Sequence, residues 1–121
     1  MEAISFDIAD LIDAVGGDYS RILLSGGGSR LAAWPQVLAD VTGIPVTCFD
    51  APDLSAVGAA VLAWRCLGAD VVAAGDRVDV QPRAAAAPRW RERRAAYAAT
   101  RAIAVEHYTS SPPPTDRKHH P

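Results

Sequence analysis

Arg21-Ile22-Leu23-Leu24-Ser25-Gly26-Gly27-Gly28-Ser29-Arg30 is the stretch whose reading decides the fold. Ile22 to Leu24 is a short apolar run of the kind that forms a buried strand. Three consecutive glycines end it, and an amphipathic helical pattern follows. Strand, glycine turn and helix in that order present free backbone N–H groups to an anion, most often a phosphate. Glycine suits the turn because it takes φ > 0 and lets a ligand come close to the backbone. The run has neither G-x-G-x-x-G spacing nor the Lys-Ser/Thr of a P-loop. Leu23 stands where a G-x-S-x-G elbow has its first glycine, so Ser25 is not an elbow nucleophile. A tight strand-to-helix turn with no ligand explains the glycines equally well.

Upstream, Ile4, Ile8, Leu11, Ile12 and Val15 fall at helical spacing, with Asp7, Asp10 and Asp13 expected to face away from the core. Gly16-Gly17-Asp18 ends that helix. Its start at the first residues, without a cap, suggests a natural chain that begins further upstream. Downstream, Leu31, Trp34, Val37, Leu38 and Val41 form one apolar stripe that closes at Gly43. Pro35 lacks an N–H and fits only a first turn, which puts the helix start near Ala32 or Ala33. Pro45 to Phe49 reads as a second strand, and Asp53 as the N-cap of a third helix, Leu54 to Leu67. That helix has a large-residue stripe of Leu54, Val57, Val61 and Trp64. Its other surfaces are small: Gly58, Ala59, Ala60 and Ala63. Either a closely approaching backbone or flat ligand, or simple tight packing, accounts for so many small residues. Ala69 to Asp79 is weakly patterned and reads as a helical turn and a loop. Ala84 to Val105 reads as a last helix, begun or interrupted at Pro88.

Length and charge narrow the function. The chain has 121 residues, half of them hydrophobic, enough for one small domain. No run is long and apolar enough to span a membrane, and the acidic N-terminus is unlike a signal peptide. Cys48 and Cys66 both lie in expected core elements and read as buried free thiols, without a disulfide or metal role. These features imply a cytoplasmic protein with no membrane partner. Residues 1–79 carry eleven acidic and four basic side chains, a balance of −7. Residues 80–121 carry three acidic and eight basic, a balance of +5. Arg89, Arg91, Arg93, Arg94 and Arg101 surround a single aromatic, Trp90, with no interleaved reading motif. A solvated amphipathic face explains the cluster better than a nucleic-acid surface does. The segment 109–121, with Pro112-Pro113-Pro114, is expected to be a disordered tail.

The order of these parts resembles the C-terminal domain of the FGGY carbohydrate kinases, with closest similarity to the xylulokinase branch. The residues that carry the resemblance are Leu24 to Arg30, Trp34, Gln36, Leu38-Ala39-Asp40-Val41, Gly43, Pro45-Val46 and Ser55 to Ala60. It implies an α/β fold, the actin-like, ribonuclease-H-like ATPase half-domain, incomplete and spanning residues 1–108. It also implies ATP and Mg²⁺ as cofactors, with Gly26, Gly27 and Gly28 against the nucleotide and Ser29, Arg30 and Leu31 lining the turn. The helix at Leu54–Leu67 is implied to pack behind that turn. Leu31 and Pro35 depart from the family pattern; a leucine cannot hydrogen-bond the nucleotide as a small polar residue would. Phosphoryl transfer needs a base for the sugar hydroxyl and groups to hold the γ-phosphate. In the family these lie upstream, so no catalytic residue and no metal ligand is assigned here, and Asp40 reads as structural. The implied function is the ATP-binding part of a sugar kinase, with ATP/ADP as ligands and a sugar only in company with an N-terminal domain. The alternative is a non-catalytic interaction module that self-associates through an exposed cleft face.

Overall fold

A computed structural model describes residues 1–50, 53–72 and 75–110. Among the described residues four α-helices and three strands alternate: α1 Glu2–Val15, β1 Ile22–Ser25, α2 Trp34–Thr42, β2 Val46–Asp50, α3 Leu54–Cys66, β3 Asp76–Val80 and α4 Ala87–Ser110. The sheet order is β1-β2-β3. β1 and β2 are parallel, with Ile22 opposite Val46 and Ser25 opposite Phe49. β3 runs antiparallel to β2, with Val46 opposite Val80 and Asp50 opposite Asp76. It forms where a loop was expected. Arg77-Val78-Asp79-Val80 alternates polar and apolar residues with period two, which suits an outer strand with one half-covered face.

That alternation sorts the sheet into two unlike faces. Ile22, Leu24, Val46, Cys48 and Val80 turn toward α2 and pack with Leu38 and Ala39 to make the core. Leu38, Ala39 and Val46 are sealed from solvent. α2 ends at Gly43 in the left-handed conformation, φ 70°, where only glycine is free of strain. On the opposite face Leu23 is 70% exposed, Thr47 donates to Asp79 Oδ1 at 2.6 Å, and the Arg77 guanidinium lies 5.4 Å from the Phe49 ring centroid.

α1 corrects one expectation. The residues it buries are Ser5, Phe6 and Ala9, while Ile4, Leu11 and Val15 are exposed. Its aspartates lie on the exposed side as expected, Asp10 half-buried, but they are not left to solvent alone. They meet α4: Arg94 Nη2 lies 2.6 Å from both Asp10 Oδ1 and Asp13 Oδ2, and Arg101 Nη1 lies 2.7 Å from Asp7 Oδ1. Arg93, Arg94 and Arg101 of the cluster are therefore ion-paired within the molecule while remaining partly exposed. α4 runs to Ser110, past the expected end at Val105, and Pro88 sits in its first turn, where a missing N–H is harmless. The expected tail lies outside the described residues from 111 onward.

α3 departs most from the expected packing. Asp53 caps it as read, its Oδ1 accepting from the Ala56 N–H at 3.0 Å. None of its residues is buried, Leu62 and Trp64 are exposed, and so is Leu67 just beyond its end. It does not close behind the glycine turn. Cys66 shares that exposure, so only Cys48 is a buried thiol.

Candidate nucleotide cleft at the glycine turn

The glycine turn is itself a short 3-10 helix, Gly26–Arg30, and α2 begins four residues later at Trp34 with Pro35 in its first turn. α2 thus starts within two residues of the position expected near Ala32 or Ala33, with Ser29 to Leu31 left outside it. Pro35 is the physical reason, because it can open α2 but cannot continue a helix from the turn.

The three glycines have three different reasons. Gly26 takes φ 74°, a conformation that side chains rarely adopt. Gly28 lies beneath the Trp34 ring: a Cβ there would stand 2.1 Å from Cζ3. Trp34 is held in that place by its Nε1, which donates to the buried Ser5 Oγ at 3.0 Å and so joins α2 to α1. Gly27 has neither reason. Its φ is ordinary and a Cβ would meet nothing within 4 Å. It is the one glycine of the turn that the folded chain does not itself require.

Ser29, Arg30 and Leu31 complete the turn. Ser29 Oγ donates back to the Gly26 carbonyl at 2.8 Å. Arg30 reaches across to the end of β2, with Nη2 3.0 Å and Nε 3.3 Å from Asp50 Oδ1. Ser29 and Leu31 line a cleft of about 390 Å³ between the start of α2 and the ends of β2 and β3. Its walls include Ala32, Pro35, Cys48, Val78 and Val80, with Gln36, Asp50 and Asp76 as further polar groups. The cleft opens beside the carboxyl ends of the parallel strands, where open α/β sheets bind ligands. Its volume falls in the range that holds a small molecule, and apolar walls with a few polar groups are the usual composition. Burial pushes the Cys48 thiol up from its ordinary pKa, so it is a neutral wall residue rather than a nucleophile.

Of the six turn residues expected at the site, Ser29 and Leu31 line the cleft, whereas Gly26, Gly27, Gly28 and Arg30 are not among its lining residues, and the opposite wall was not anticipated. Val78 and Asp76 belong to β3, whose alternation was the available signal. Asp50 closes β2, one residue past the expected strand end at Phe49, and pairs with Arg30.

Asp40, read as structural, anchors this wall from behind. Its side chain is completely buried. It accepts from the Arg83 backbone N–H at 2.7 Å, from Arg83 Nε at 3.0 Å and Nη2 at 2.6 Å, and from Gln36 Nε2 at 2.9 Å. Burial works to raise its pKa, but the hydrogen bonds from Arg83 and Gln36 outweigh burial and hold the carboxyl below its ordinary value. Gln36 also donates to the Gln81 carbonyl at 3.0 Å, so α2 is fastened to the chain just beyond β3. Among the described residues no group of three or more His, Cys, Asp or Glu could hold a metal ion, and no helix is long and apolar enough to cross a membrane.

With this geometry the chain is similar over most of its length to known kinases. It superposes on xylulose kinase from Rhodospirillum rubrum with a TM-score of 0.72 at 25% identity, covering 89% of this chain and 24% of that one. The α/β architecture is that of the actin-like ATPases. Autoinducer-2 kinase from Enterobacter sp. (strain 638) is 31% identical over 74 residues, 60% of this chain and 14% of that protein. The same enzyme from Yersinia enterocolitica is 37% identical over 57 residues, 47% of this chain and 11% of that protein. The chain therefore spans a small part of the length of the relatives it matches. The profile of the FGGY family of carbohydrate kinases, C-terminal domain, matches residues 1–67. Those residues are more than half of the 121, and the chain belongs to the FGGY carbohydrate kinases through their C-terminal domain.

Proposed function

We propose that the chain is the nucleotide-binding part of a sugar kinase, taking ATP or ADP in the cleft at the glycine turn. The observation that carries this reading is Gly27, a glycine with ordinary φ and open space where its Cβ would be. The remaining reason for a bare backbone there is the close approach of a ligand. In this pose the phosphates pass Gly27 and the base lies against Leu31, Pro35 and Val78.

The rest of the reaction belongs to the family and to residues beyond this chain. The γ-phosphate would go to a sugar hydroxyl, with xylulose or a related sugar as the acceptor suggested by the relatives' names. We assign no catalytic base here. We assign no metal ligand here either. A cytoplasmic location accords with this role.

Calorimetric titration of ADP and ATP into the wild type and Gly27→Val tests the reading. Binding by the wild type that is lost in a folded Gly27→Val supports it; equal binding by both refutes it. A second reading, a non-catalytic interaction module, draws on the absence of any buried residue in α3. Self-association in sedimentation without nucleotide binding would favour that reading.

A further inference from the structure

α4 is long but thinly attached. Of its 24 residues only Trp90 is buried. Phe6 of α1 meets Trp90 with ring centroids 6.2 Å apart and Tyr97 at 5.4 Å. Further along, Ile103, Val105 and Tyr108 are exposed. Charge holds the rest: Arg93 pairs with Glu2, Arg94 with Asp10 and Asp13, and Arg101 with Asp7 and Asp10, while Tyr97 Oη donates to Asp7.

The dependence is mutual. Asp7, Asp10 and Asp13 are spaced by three on one helix and repel each other when unpartnered. Asp10 and Asp13 lie toward the carbonyl end of α1, where negative charge opposes the helix dipole, and the last turn of α1 has no basic residue. The arginines that answer this stripe all come from α4. The start of α4 has separate anchors, the buried Trp90 ring and, just upstream, the Arg83–Asp40 pair.

We propose that this ladder is an electrostatic latch, in which ionic strength decides whether α4 beyond Trp90 is docked on α1 while the α2–sheet core stays folded. The pairs are partly exposed, so mobile ions reach them. The Debye length falls from about 30 Å at 0.01 M salt to about 3 Å at 1 M, which is the separation of the paired atoms. A helix freed from its partner is marginal in water, so backbone amide exchange reports release.

The test is hydrogen exchange by mass spectrometry on the whole chain in about 0.01 M and about 1 M sodium chloride. Exchange over residues 93–110 should rise about tenfold with salt, while α2 and β2 change less than about twofold. Asp10→Asn, which removes the carboxylate shared by Arg94 and Arg101, should raise α4 exchange already at low salt and shrink the salt response. Exchange in α4 that ignores salt overturns the proposal. So does a rise in α2 and β2 in step with α4, since that is loosening of the whole fold. A full salt response in Asp10→Asn overturns it as well.

Discussion

The Arg83 side chain holds the Asp40 carboxylate through Nε at 3.0 Å and Nη2 at 2.6 Å, while the Arg83 backbone N–H takes the other oxygen at 2.7 Å. One residue thus supplies both a charge and a main-chain donor to a carboxylate that water does not reach. Removing the guanidinium leaves a buried carboxylate short of donors. Because the Arg83 side chain is itself 62% exposed, water replaces part of the loss. Arg83→Met should lower the urea midpoint of unfolding.

The same pair sets an acid limit. Asp40 has a lowered pKa when folded, so its contribution is complete above the ordinary unfolded value of about 4 and is lost as pH falls through the lower folded value. In Arg83→Met the guanidinium bonds and charge are gone, only the main-chain N–H and Gln36 still oppose burial, and the folded pKa rises. Acid unfolding, followed by circular dichroism, should then begin at a higher pH than in the wild type.

The glycine turn should sort three substitutions by mechanism. Gly28→Ala drives a Cβ into the Trp34 ring and should cost about 1–3 kcal/mol. Gly26→Ala forces a side chain to φ 74° and should cost about 1 kcal/mol. Gly27→Ala meets nothing and should leave stability within about 0.5 kcal/mol. Thermal or urea unfolding of the three variants checks the order. A Gly27→Ala as damaging as Gly28→Ala would remove the argument that Gly27 is there for a ligand.

α3 should be the least protected regular element of the sheet region. It buries no side chain, and a helix of its 13 residues is marginal without packing. Its amides should exchange faster than those of α2. Gly58 lies within it with open space at its Cβ, so Gly58→Ala should slow that exchange by stabilising the helix about 1 kcal/mol.

How much of this was legible depended on whether local pattern or distant partners decided the outcome. β1, β2, α2 and the Asp53 cap follow from short apolar runs, Pro35, Gly43 and a carboxylate three residues from its N–H donor; all of these act locally. α1 misled because its aspartates found arginines more than 80 residues away, and no period in α1 records that. β3 was missed because its polar residues mask a period of two in a five-residue strand. The glycines were visible, but what separates Gly27 from Gly26 and Gly28 is a backbone angle and the position of Trp34, which only the folded chain supplies. The resemblance placed α3 behind the turn; in this chain the helix forms with its apolar residues uncovered.

The central claim is that a nucleotide occupies the cleft beside Gly27. Amide chemical shifts on titration with ADP test it most directly, because they report position as well as binding. The account predicts shifts concentrated at Gly26–Leu31, Cys48 and Val78, with α4 unmoved. Shifts elsewhere that leave the turn unchanged, or none at all from a well-folded chain, would contradict it.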